Sequence, residues 1–292
     1  MDDTKCFQGG SMGLRINTNT AALNAQRNLY GTKLALDKSL EKLSSGFRIN
    51  RAGDDAAGLA ISESLRGQIR GLKMASRNAQ DGVSMIQVAE GGLQEVSNIL
   101  IRLRELGVQA ASDTVGPIER QLINVEYQQL LDEIDRIADS TEFNGTPLLS
   151  GTGAILDFQV GTRNDPNIDR LSFDASKADA NSAALGVNLT TVADKASAQN
   201  SLSAIDEAIV AVSATRADFG AMQNRLQSTI NNLSISLENM AAANSRIRDV
   251  DVAEETAELT KQNILMQAGT SVLAQANQTS KNALQLLNSA FG

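Results

Sequence analysis

Residues Leu43–Ser62 read LSSGFRINRAGDDAAGLAIS. The segment carries three glycines, two arginines and an adjacent pair of aspartates between two stretches of helical periodicity. Gly46 follows a leucine series at Leu29, Leu36 and Leu43. That places it as a helix C-cap, where a left-handed conformation costs glycine little. Asp54 or Asp55 precedes AAGLAIS, and either carboxylate can accept from the free N–H groups of the next helix. The segment therefore reads as a linker between a terminal helix and a longer one. Arg48 and Arg51 are expected to pair with Asp249 and Asp251 of RIRDVDVAEE, the matching junction late in the chain. A solvated polar turn is the alternative for the two arginines, because exposed ion pairs contribute little.

Outward from the linker, apolar residues recur every seven positions. On the C-terminal side of the chain Ile205, Val212, Phe219, Leu226, Leu233 and Met240 form one seam. Leu202, Ile209, Ile230 and Leu237 form a second, with Arg216 and Gln223 as polar exceptions. This spacing is that of a coiled coil, and at 1.5 Å per residue it predicts a rod on the order of 65 Å long. Leu65, Leu72, Ala79, Ile86, Leu93 and Leu100 answer it, with a companion seam at Ala75, Gly82, Ala89, Val96 and Leu103. After SDTVGP a third pattern runs through Ile123, Tyr127, Leu130, Ile134 and Ile137. The three prolines, Pro117, Pro147 and Pro166, all lie mid-chain, so neither flank contains a helix breaker. Three antiparallel rods in one bundle are expected.

The period changes in the middle. Leu156, Phe158 and Val160 alternate, as do Leu171 and Phe173, and the polar GTRNDPNID between them reads as a hairpin loop. From about Lys177 to Lys195 the residues are small and polar, and a surface loop is expected there. The two ends differ from the rods. Leu29, Leu36 and Leu43 mark one helix, and Leu259, Met266, Leu273 and Leu287 mark another. Both are rich in Ala, Asn, Gln, Ser and Thr, and from Thr260 to Gly292 the only charged residues are Lys261 and Lys281. A surface helix of a monomer normally has a charged face. These ends suit a subunit that orders on assembly, the alternative being one ordinary bundle with a bland surface.

Composition narrows the chemistry. The formal charge of −8 speaks against a nucleic-acid partner, which needs a basic face. There is no histidine, the usual general base and metal ligand, and no nucleophile–base pair, metal cluster or phosphate loop is legible. No enzyme, cofactor or metal is expected. No apolar run approaches a membrane span, and no apolar core of a cleaved signal peptide stands at the start. The lone Cys6 has no internal disulfide partner.

LRINTNTAALNAQRNL followed by LSSGFRINRAGDDAAGLAI resembles the N-terminal signature of bacterial flagellins. IRLRELGVQA, EFNG, FQVG and ENMAAANSRIRDVDVAEETAELTKQNILMQAGTSVLAQANQ resemble further blocks of that family in the same order. The resemblance runs from about Met12 to Gly292. It implies a mainly α fold in which the N- and C-terminal helices pair as a coiled coil. It further implies a self-polymerising subunit of the extracellular flagellar filament, exported unfolded through the flagellar type III apparatus without signal cleavage. Implied partners are further copies of the chain, an export chaperone, hook-associated junction and cap proteins, and a host Toll-like receptor. Membrane insertion is not implied.

On this reading, residues 1–11 are an appended segment, and 12–45 with 250–292 form the terminal-helix coiled coil. Residues 46–176 and 195–249 form the rod domain with a β-hairpin at about 154–174, and 177–194 form a surface loop or cap. The polymerisation core is expected at Leu29, Leu36, Leu43, Leu259, Met266, Leu273 and Leu287. The linker residues are Gly46, Arg48, Arg51, Asp54 and Asp55. The family's receptor patch maps to Arg102, Leu106 and Glu126, with Arg102 and Leu106 expected to face outward because they lie off the Leu100/Leu103 seam. The short middle implies a thin, smooth filament. Hook–filament junction proteins share the terminal helices but tend to carry a proline after the paired aspartates, where this chain has DDAAGLAI. A non-polymerising secreted binding module is the alternative from another class.

Overall fold

The computed structural model describes residues 18–152 and 154–291; the Met1–Ser11 segment and Cys6 lie outside them. The helices are α1 (Thr20–Ser45), α2 (Ala56–Ala111), α3 (Pro117–Ser140), α4 (Lys195–Arg248) and α5 (Val252–Phe291). Between α3 and α4 lie four short strands, β1 (Glu142–Phe143), β2 (Thr146–Pro147), β3 (Ile155–Gln159) and β4 (Arg170–Asp174). β1 pairs with β2 and β3 with β4, both antiparallel. In the β3–β4 hairpin Leu156 faces Phe173 and Phe158 faces Leu171, as the alternation in the sequence predicts.

The chain divides into two compact units, one of the residues up to Ser64 together with those from Ala243 on, the other Leu65–Ala242. The division falls outside the expected 45/46 and 249/250 boundaries. The first turns of α2 and the last turn of α4 belong with the linker, because Arg248 at the end of α4 reaches Glu63 near the start of α2 at 2.6 Å.

The Leu65–Ala242 unit is built on the seams read from the sequence. Ile86, Leu93, Val96, Leu100, Leu103, Ile205, Phe219 and Leu226 are buried together in one core. Cross-helix contacts fix the directions. Arg120 donates to the Ala110 carbonyl at 2.8 Å and Arg102 meets Glu126, so α3 runs antiparallel to α2. Arg104 meets Asp206, while Leu72 packs with Leu233, so α4 does the same. Phe173 of the hairpin meets Phe219 with ring centres 5.3 Å apart.

Segment 177–194, expected as a surface loop or cap, is packed against α3 rather than free in solvent. Ala178, Ala180, Val187 and Val192 are buried, and Ser182 donates from both backbone and hydroxyl to Asp135 at 2.7 and 2.8 Å. Asn124 accepts from the Val192 N–H, and Tyr127 shares a 2.6 Å hydrogen bond with Thr190. Its apolar residues are too few and irregular to form a period, but α3 supplies polar partners for its backbone. Burial also raises the Tyr127 phenol above its ordinary pKa, although the Thr190 bond opposes this.

In the terminal unit α1 and α5 are antiparallel, as shown by Asn19 bonding to the Ala276 carbonyl at one end and Lys42 to Glu255 at the other. The inward positions follow a 3–4 spacing: Ala22, Ala25, Leu29, Thr32, Leu36, Ser39 and Leu43 on α1. On α5 they are Glu255, Leu259, Gln262, Met266, Gly269, Leu273 and Ala276. Large residues thus alternate with small or polar ones. Leu29 lies where a Cβ on Gly269 would be 3.3 Å from its side chain, so the helices approach closely.

Candidate assembly interface

The linker shows how the terminal pair is anchored. Gly46 closes α1 with φ 75° and donates to the Lys42 carbonyl at 2.9 Å. The two aspartates divide the roles that the sequence left open. Asp55 accepts from the Gly58 N–H at 2.8 Å and caps α2. Asp54 accepts from the N–H groups of Asn50 and Arg51 and binds Lys38 at 2.7 Å. The Lys38 ammonium, followed by those N–H groups, holds the Asp54 carboxyl below its ordinary pKa.

The expected pairing of Arg48 and Arg51 with Asp249 and Asp251 does not occur. Arg48 donates to the Ile247 carbonyl at 2.8 Å, and Arg51 pairs with Glu41 at 2.9 Å. Asp251 is used as the cap of α5, accepting from Ala253 and Glu254, and Asp249 forms a backbone bridge with Phe47. The Asp251 carboxylate is turned toward the free N–H groups at the start of α5, which it satisfies. Two backbone bonds cross the same point, Arg48 N–H to Arg248 O at 2.7 Å and Val250 N–H to Gly46 O at 3.1 Å. Arg248 completes the junction, stacked on Phe47 and paired with Glu63. Sequence reasoning missed Arg248, Phe47 and Glu63, since nothing in spacing alone marks a partner nearly 200 positions away; it also missed Lys38, which the fold of the linker brings back onto Asp54.

Leu29, Leu36, Leu43, Leu259, Met266 and Leu273 are half-buried in the α1–α5 seam; the Leu287 side chain lies outside the described ones. These residues therefore hold the subunit's own helix pair. A different set faces solvent: Leu23, Tyr30 and Leu34 on α1, and Ile264, Leu265 and Val272 on α5, each at least 46% exposed. Their own spacing, 23/30/34 and 265/272, was a second periodic signal overshadowed by the stronger leucine series. Helices apolar on more than one face are stable when several faces are covered.

The patch of Arg102, Leu106 and Glu126 is only partly as expected. Arg102 is exposed and pairs with Glu126 at 2.8 Å and with Glu105 at 2.9 Å; Glu126 and then Glu105 raise its pKa. Leu106 is 1% exposed and belongs to the core, not the surface. Lying off the Leu100/Leu103 seam does not turn it outward, because α2 packs against both α3 and α4 and its buried arc spans more than one seam. Exposed apolar residues on the same two helices are Ile101 and Val108 on α2 and Ile118, Leu122 and Val125 on α3.

Comparison with known proteins accords with this architecture. Residues 16–154 match the bacterial flagellin N-terminal helical region and residues 202–287 the bacterial flagellin C-terminal helical region. The chain is 50% identical over 272 residues to a flagellin of Halalkalibacterium halodurans, covering 93% of this chain and 99% of that protein. It is 46% identical over 288 residues to the flagellar filament 33 kDa core protein of Treponema phagedenis, again covering 93% and 99%. Among solved structures, a putative flagellar hook-associated protein of Vibrio parahaemolyticus matches 67% of this chain and 100% of its own, with a TM-score of 0.55 at 15% identity, a likeness of fold alone. With both helical regions matched in order and half the residues identical over nearly the whole chain, this protein belongs to the bacterial flagellin family.

Proposed function

We infer that this chain is a structural subunit that polymerises into the flagellar filament. The observation carrying this reading is the terminal helix pair, which fills its own seam with Leu29, Leu36, Leu43, Leu259, Met266 and Leu273 yet leaves Leu23, Tyr30, Leu34, Ile264, Leu265 and Val272 in solvent. A family whose members include a filament core protein supplies the cover, namely further copies of the same pair. The linker residues Gly46, Arg48, Arg51, Asp54 and Asp55 then set how the pair joins the first turns of α2. The subunit works outside the cell after export through the type III apparatus with the help of a chaperone, and it meets hook-associated junction and cap proteins at the filament ends. Among the described residues no helix is long and apolar enough to cross a membrane.

The test is electron microscopy and pelleting of the full-length chain beside one trimmed to 12–251. Filaments from the full-length chain alone support end-driven assembly; filaments from the trimmed chain, or from neither, count against it. A Toll-like receptor contact at Arg102 and Glu126 is a second reading, favoured by their exposed ion pair on two helices that also expose Ile101, Leu122 and Val125. Loss of receptor activation in Arg102→Ala monomers, with folding unchanged, tests it.

A further inference from the structure

The Leu65–Ala242 unit carries two exposed charged stripes of opposite sign. On α2, Arg66, Arg70, Lys73 and Arg77 follow a 4–3–4 spacing and therefore share one face, and no acidic residue occurs between Ser64 and Gln80. All four are exposed. Arg70, Lys73 and Arg77 make no ion pair among the described residues. In a chain of charge −8 this is a concentrated block of positive potential.

The opposite stripe is on α3. Ile118, Val125, Asp132 and Asp139 are each seven positions apart, so one line along the helix turns from apolar to acidic. This line faces away from the core residues Tyr127, Leu131, Ile134 and Ala138. Ile118 and Val125 are 72% and 61% exposed, and Asp132, Asp139 and the following Glu142 are exposed as well. The neighbouring acids have partners within the subunit: Glu126 has Arg102, Glu133 has Arg136, and Asp135 holds Ser182. Asp132, Asp139 and Glu142 make no such bond among the described residues.

The two stripes lie at different levels of the unit. Thr141, at the acidic end, packs beside Gly92 of α2, where an added Cβ would be 2.7 Å from its hydroxyl. From Arg77, the nearest of the four, to that level α2 rises about 22 Å, at 1.5 Å per residue, well beyond the ~8 Å screening length at physiological salt. The stripes are thus too far apart to neutralise one another within a subunit, and each is left facing solvent.

We propose that the Arg70–Lys73–Arg77 stripe of one subunit docks on the Asp132–Asp139–Glu142 stripe of a second copy. The contact joins two different surfaces, so it is heterologous, and such contacts repeat from subunit to subunit, as an open helical polymer where the rotation does not close, rather than ending at a symmetric dimer. Complementary charge fixes the register of the two rods and speeds encounter, while the apolar Ile118–Val125 end of the line continues the buried strip. This contact rests on the filament reading above and names one of its interfaces.

The experiment measures the critical concentration for assembly of the full-length chain by pelleting, across a salt series. Arg70→Glu with Arg77→Glu, and separately Asp132→Lys with Asp139→Lys, are each expected to raise it about tenfold by placing like charges together. Combining all four should return it to within about threefold of the unmodified chain, because the attraction is restored with its sign exchanged. The neutral pair Arg70→Gln with Arg77→Gln should raise it less and flatten its salt dependence, and circular dichroism shows that each variant is folded. A combined variant that assembles no better than the weaker parent overturns the contact. So does an Arg70→Glu/Arg77→Glu protein that assembles normally but loses binding to a sulfated polysaccharide, since the stripe then meets an external acidic polymer. An unmodified chain that forms no filaments at all overturns the filament reading itself, and this contact with it.

Discussion

The guanidinium carbon of Arg248 stands 4.7 Å from the centre of the Phe47 ring. The two residues are 201 positions apart, and their backbones meet at the same point, where the Arg48 N–H bonds to the Arg248 carbonyl and Phe47 bridges to Asp249. Arg248 also reaches Glu63, so one side chain ties the linker, the end of α4 and the start of α2 together.

Arg248→Ala removes the ring contact and the ion pair together and should destabilise the terminal unit by about 1–2 kcal/mol. Arg248→Lys keeps the charge but loses the planar stacking, and should recover less than half of the difference. Chemical denaturation followed by hydrogen exchange at residues 46–50 and 247–250 measures both.

A side chain at Gly58 would crowd the cap of α2. A Cβ at this position would lie 2.4 Å from the Asp55 carboxylate and 2.8 Å from Ile49, which is itself buried. Gly58→Ala therefore displaces the carboxylate from the N–H it accepts and should cost about 1 kcal/mol, despite the better helix propensity of alanine. Asp55→Ala should cost a similar amount, and the double variant should cost less than the sum of the two, as a thermal melt would show.

Leu106→Ala and Arg102→Ala separate packing from recognition. Leu106 is in the core, so truncation should destabilise the Leu65–Ala242 unit by about 2–5 kcal/mol. Arg102 is half exposed, and its replacement should leave the melting temperature nearly unchanged while altering any binding at that surface. A loss of binding in Leu106→Ala is then a folding effect, which the melt identifies.

Leu273→Asp puts a charge into the α1–α5 seam, where Leu273 is half-buried, and should abolish polymerisation. Val272→Asp, one position away on the exposed side, should also block assembly but leave the helix pair within a subunit intact. Pelleting reports the first property and helical content of the monomer the second. Assembly by either variant at the unmodified critical concentration would count against the interface.

Acid should loosen the terminal unit. Asp54 is held low by Lys38, and Glu258 by Gln262 and then Lys261. Both groups have folded pKa values below their unfolded ones, so their contribution is present in full above the ordinary carboxylate range. It declines as pH falls below about 4 and is lost once pH passes the depressed native values. Stability of the terminal unit should therefore be flat from neutral pH down to about 5 and drop below that, a profile measurable by denaturation across a pH series.

The heptad series, the missing mid-helix prolines and the turn chemistry around Gly46 and Asp55 made the long helices and the hairpin legible in the sequence alone, because periodicity and capping are local and repeat along one element. The family was legible for a related reason: its blocks are contiguous stretches such as LSSGFRINRAGDDAAGLAI. What lay beyond reach was pairing between distant positions. Arg48 and Arg51 have several acids within plausible range, and only the folded backbone shows that Asp251 is engaged as a cap and that Arg248 rather than Arg48 makes the bond to the start of α2. Leu106 falls outside the two series legible for α2, which together mark one face of it, while the helix packs on two sides. The apolar residues at 187 and 192 show no period, yet both are buried, the Val192 N–H bonded to Asn124 of α3 and the Val187 N–H to the Ser182 carbonyl of its own segment. Element type follows from interactions within a few residues. Which face of an element is covered, and by what, is a property of the whole packing and is decided only when distant segments compete for the same neighbours.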